Sequence, residues 1–205
     1  MNIDISKIRA LDYGFSTDIS IFSFIEKWAI NGFWKAVTDN KQQLPTHIFQ
    51  FIDVEGDLQV IEMAADGNDK KKLKLSLCPI DKYLSNGIFG DRIICVLRNS
   101  LYDDDLIRAQ ANKRHLRRWA DGKTFYDISE LTFFMPFLRF LGLKNDNSKL
   151  VCSSEAEDEL NKDECTFSDF PLLKKPQGVI APWQIMDSKF CITRSGNRHA
   201  LQHIV

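Results

Sequence analysis

The sequence predicts an α+β fold built on a small antiparallel sheet, and three observations carry that expectation. Residues 46–53 alternate, with His47, Phe49 and Phe51 on one side and Ile48, Gln50 and Ile52 on the other, and Glu55-Gly56 supplies a turn before a second strand-like run over 58–64. Residues 91–98 hold the unbroken apolar run 93–97, as suits a central strand covered on both faces. Residues 103–119 open on Asp103-Asp104-Asp105, carry arginines near their end and meet Gly122, an order that complements a helix dipole at both ends.

The remaining elements follow in chain order. Asp18 is a plausible cap for a helix over 18–30, whose apolar side is Ile21, Phe22, Ile25, Trp28 and Ala29. Residues 72–77 read as a further strand, and 79–90 as a loop or a short turn of helix. Pro136 breaks or kinks the greasy stretch at 133–138, and 144–148 is a loop. Residues 153–162 read as an acidic helix, and 166–183, punctuated by prolines, as irregular.

Composition narrows the function. The 205 residues and 44% hydrophobic content suffice for one domain with a packed core. With 27 basic against 28 acidic residues the formal net charge is −1, so nothing draws the whole chain to nucleic acid or to an anionic membrane. The cysteines at 78, 95, 152, 165 and 191 are odd in number and lack a close pairing pattern, which fits a reducing compartment. Residues 1–7 lack the pattern of a secretory leader and no run approaches the length of a membrane span; the expectation is a cytoplasmic protein without integral membrane association.

The residues that point to chemistry are His47, Glu62 and Cys152. Cys152 stands where the acidic helix would begin, and unpaired N–H groups at a helix start favour a thiolate and an oxyanion alike. If Glu55-Gly56 is a two-residue turn, His47 and Glu62 are diagonal neighbours on one face, within reach of a His–carboxylate hydrogen bond. Each residue also has a plainer reading: Cys152 as a small buried hydrophobe, His47 as a core residue among phenylalanines, Glu62 as a solvated position on an amphipathic strand. The cluster Lys113, Arg114, His115, Arg117 and Arg118 reads either as an anion site or as a solvated helix face. No phosphate loop, Cys-x-x-Cys or His-Glu-x-x-His motif is present, so no cofactor or metal is expected.

The succession of a His47 strand, Val60-Ile61-Glu62-Met63-Ala64, a helix running into Gly122-Lys123-Thr124-Phe125-Tyr126-Asp127, Val151-Cys152-Ser153 and Ala181-Pro182-Trp183 resembles the circularly permuted NlpC-type papain-like amidases, the YiiX-like group. The likeness runs from about residue 8 to about residue 193 and lies in order and spacing rather than in any single string. It implies a permuted papain-like fold over residues 1–205, with the sheet packed against the nucleophile-bearing helix and a helical insertion at about 103–142. It also implies that Cys152 is the nucleophile, His47 the base and Glu62 the acid that orients it. Where that family opens with a Gly-Asp-Ile strand, this chain has Leu11-Asp12-Tyr13-Gly14-Phe15.

The function expected on this footing is hydrolysis of an amide, ester or thioester through an acyl-enzyme, with Tyr126 a candidate donor to the substrate carbonyl. The substrate class is a peptide, cell-wall or lipid-type linkage. An acyltransferase is the close variant, and a non-catalytic binding module that keeps the fold is the alternative from another class.

Overall fold

The computed structural model of the chain describes residues 4–17, 45, 47–65, 73–84, 92–122, 156, 160–167 and 182–204. Eight strands form one sheet: β1 Tyr13–Thr17, β2 His47–Val54, β3 Asp57–Ala65, β4 Leu73–Pro79, β5 Arg92–Asn99, β6 Cys165–Phe167, β7 Phe190–Thr193 and β8 Arg198–His203. Their order is β4-β3-β2-β1-β5-β8-β7-β6, and the ladders are antiparallel. Among the described residues, three helices, α1 Asp81–Leu84, α2 Asp105–Asp121 and α3 Pro182–Asp187, accompany it.

The β2–β3 hairpin turns on two residues, because Val54 pairs with Asp57. Glu55 and Gly56 both take positive φ, 56° and 90°, the backbone of a type I′ turn whose twist matches the strands it joins. The Gly56 N–H closes on Asp53 Oδ1 at 2.9 Å.

The sheet curls. Tyr13 on β1 and Phe167 on β6 are four strands apart, a lateral distance of roughly 19 Å in a flat sheet, yet their ring centroids lie 5.9 Å from one another. The concave side holds the larger core, with Ile48, Ile52, Ile61, Met63 and Leu75 from the strands. Ala111 of α2, together with Ala156, Leu160 and Ile185, fills that core from the helical side. The convex side carries a second cluster of Phe49, Phe51, Val60, Tyr83, Ile93 and Val96.

Helix α2 is placed by its own ends and by one amide. Asp104 Oδ1 accepts from the N–H groups of Leu106 and Ile107, an N-cap worth about 1 kcal/mol. Gly122 ends it in the left-handed region at φ 61°. Asn112 clamps the helix to β2: its Oδ1 accepts from the Asp53 N–H at 2.9 Å and its Nδ2 donates to the Asp53 carbonyl at 2.8 Å.

Two expectations change. The sheet has eight strands and is not small, because β1, β6, β7 and β8 add short ribbons of three to six residues that give little signal alone. The segment 166–183 is not irregular at its ends, since Thr166 and Phe167 belong to β6 and Pro182 opens α3. The expected helix over 18–30, the greasy stretch at 133–138 and the loop at 144–148 lie outside the described residues, and α2 is the described part of the expected 103–142 insertion.

Candidate active site

His47 opens β2 and Glu62 lies in β3. Pairing of Gln50 with Ile61 sets a register that puts Glu62 opposite Phe49, so His47 and Glu62 are diagonal neighbours on the convex face. His47 Nε2 lies 2.8 Å from Glu62 Oε2. The Glu62 side chain is 3% exposed and that of His47 22%, so the carboxylate is buried while the imidazole reaches solvent.

A buried carboxylate is costly unless its lone pairs are filled. Here they are filled from several elements. Lys82 Nζ and Tyr83 OH, both on α1, donate to Oε1 and Oε2 respectively. Cys78 Sγ, two residues along β4 from the Ser76 that pairs with Glu62, donates to Oε1 at 3.2 Å. Burial alone would raise the Glu62 pKa; the hydrogen bond and charge of His47, joined by those of Lys82, overcome it and hold the carboxyl far below its ordinary range. An ionised carboxylate has no proton to give, so Nε2 of His47 carries the hydrogen and Nδ1 is its basic nitrogen.

Aromatic packing fixes this cluster. The Tyr83 ring lies over Phe49 with 4.2 Å between centroids and 21° between planes, and Phe51 meets the other ring edge-on at 5.4 Å. Phe49 lies over Gly14 of β1, where a Cβ would fall 2.2 Å from Phe49 Cε2. Glycine at 14 is therefore a packing requirement of the site's floor.

Of the three residues expected to act together, His47 and Glu62 meet, whereas Cys152 lies outside the described residues, as does Tyr126. Ala156, four positions after Cys152, is buried in the concave core, on the face opposite His47. Lys82, Tyr83 and Cys78 complete the Glu62 cluster without having been singled out for it from the sequence. Their signal is the local string 78–83, which carries a thiol, an ammonium and a phenol just after a strand.

Two other described thiols, Cys78 and Cys95, are poor nucleophiles. Burial first, and the Glu62 charge second, push Cys78 up to about 12. Burial pushes Cys95 up to about 12 as well, although its Sγ lies 3.1 Å from His203 Nδ1. The basic cluster of α2 is divided: His115 is wholly buried, Arg114 forms a two-pronged pair with Asp163 at 3.0 and 2.8 Å, and Lys113 and Arg117 face solvent. That division removes the reading of one continuous anion-binding face. Among the described residues no group of three or more His, Cys, Asp or Glu is placed to hold a metal ion, and no helix is long and apolar enough to cross a membrane.

No protein-family model matches the chain, and a search of curated proteins returns no match.

Proposed function

We propose that this chain is a cysteine hydrolase of the permuted papain-like kind, cleaving an amide, ester or thioester bond through an acyl-enzyme. The observation that carries the reading is the His47–Glu62 pair, an imidazole held by a carboxylate that stays ionised and is itself anchored by Lys82, Tyr83 and Cys78.

In this mechanism the Cys152 thiol gives its proton to Nδ1 of His47 and the thiolate attacks the substrate carbonyl. The tetrahedral intermediate collapses as the imidazolium protonates the departing amine, alcohol or thiol. Water, deprotonated by the same nitrogen, then releases the acid and restores the thiol. Glu62 keeps the ring in one tautomer and stabilises its charged form. Tyr126 is assigned to the substrate carbonyl, and the substrate is a peptide, cell-wall or lipid-type linkage. With a second substrate in place of water the same steps make an acyltransferase.

One observation favours a different reading, a binding module without turnover: Ala156 packs on the face opposite His47. Iodoacetamide separates the two. A thiolate activated by His47 alkylates at Cys152 faster than an ordinary thiol, and His47→Ala slows it; a rate at Cys152 that is ordinary and indifferent to His47→Ala sinks the hydrolase.

A further inference from the structure

The far edge of the sheet carries a second thiol arrangement. Cys165 on β6 pairs with Thr193 and Phe167 with Cys191 on β7, so Cys165 and Cys191 are diagonal neighbours on one face. Their sulfurs lie 3.2 Å apart, with Cys165 donating to Cys191, and both side chains are fully buried in the concave core. Cys191 Sγ also lies 3.4 Å from Asn99 Oδ1. Two thiols whose sulfurs touch across adjacent strands are a different object from the thiols at 78 and 95, which meet Glu62 and His203.

We propose that Cys165 and Cys191 form a reversible dithiol–disulfide site that locks the edge strand β6 to β7 when the chain meets a small disulfide such as oxidised glutathione. Closing the bond takes an approach of about 1.2 Å, from contact distance to the usual S–S length. β6 has three residues and, among the described strands, pairs with β7 alone. Local opening of so short a strand admits the oxidant to the buried sulfurs and lets them close.

The two sulfurs have different roles. The hydrogen bond from Cys165 lowers the Cys191 pKa and raises that of Cys165, so Cys191 ionises first. Cys191 thiolate attacks one sulfur of glutathione disulfide, expelling one glutathione thiolate and leaving a mixed disulfide. Cys165 then gives up its proton and attacks Cys191 Sγ, expelling the second glutathione. The protein loses two protons and two electrons, and with them one glutathione disulfide becomes two glutathione thiols.

The test uses the full chain, fully reduced, equilibrated in glutathione redox buffers and mapped by mass spectrometry under non-reducing conditions. The expected result is a cross-linked pair of peptides, 2 Da lighter than their sum, joining residues 165 and 191 and reverting with dithiothreitol. In Cys165→Ser the bond cannot close, and Cys191 instead accumulates as a glutathione adduct. The proposal is overturned if residues 165 and 191 in the native chain stay thiols, if they end as two separate glutathione adducts, or if the cross-link forms only in denaturant.

Discussion

Tyr83 lies flat on Phe49, and through that stack the floor of the sheet reaches the carboxylate at the centre of the candidate site. Tyr83 presents its ring to Phe49 and its hydroxyl to Glu62, while Phe49 in turn occupies the space that a side chain at Gly14 would need. The position of one phenolic oxygen is thus set by a glycine two strands away from Glu62.

Gly14→Ala tests that chain of contacts. A methyl group 2.2 Å from the Phe49 ring forces the ring, and with it Tyr83, to move. Overpacking of this kind costs about 1–3 kcal/mol, or a melting temperature lower by roughly 2–4 °C for each kcal/mol. Phe49→Leu in the Gly14→Ala background should return part of the loss, and a double variant no more stable than Gly14→Ala would show that the two positions are not coupled.

A rank order among variants tests the proposed division of labour. Cys152→Ala is expected to abolish hydrolysis while the protein stays folded. His47→Ala should lower kcat/KM by roughly 10³-fold, and Glu62→Gln by less, because the carboxylate orients the base without taking the proton from substrate or thiol. A Glu62→Gln variant as impaired as His47→Ala, with folding retained, would contradict those roles.

How much of this could be read from residues alone depended on whether the signal was local. The β2–β3 hairpin was legible because its turn residues sit beside alternating strands, and Gly56 supplies the positive φ that a two-residue loop needs. α2 was legible because Asp104 and Gly122 are its caps. The His47–Glu62 hydrogen bond then followed from strand parity. Lys82 and Tyr83 were not legible, because their approach to Glu62 needs the β3–β4 register, and across the seven residues 66–72 the turn signal Asp66-Gly67 does not fix which residues pair. β8 was hidden for a related reason: its bond to β5 joins positions such as Cys95 and His203, 108 residues apart, with nothing between them to announce the pairing.

Thiol reactivity offers a check that needs no substrate. With pKa values near 12, Cys78 and Cys95 hold roughly one part in ten thousand as thiolate at pH 8. Iodoacetamide at that pH is expected to modify Cys152 first and to leave these two unlabelled on the same timescale, with peptide mapping giving the order. Early labelling of Cys78 would mean that its thiol is not held as a donor to Glu62. Cys78→Ala should leave the labelling rate of Cys152 within about twofold, since His47 and Lys82 contribute more than the thiol does to keeping Glu62 ionised.

Acid stability follows from the same carboxylate. Glu62 titrates in the folded chain well below its ordinary value of 4.5, because His47 and Lys82 favour the ionised form by more than burial opposes it. As pH falls, the unfolded chain therefore takes up this proton before the folded chain does. The contribution of Glu62 is complete above about pH 5 and diminishes progressively below 4.5. Urea midpoints measured for the native chain should drop across that window. Glu62→Gln lowers stability near neutral pH, because a neutral amide cannot replace the charge that Lys82 and His47 face. Its midpoint should change less than that of the native chain on acidification, so that the two profiles converge. Profiles that stay parallel from about pH 6 to pH 3 would mean that the acid sensitivity resides in other carboxylates.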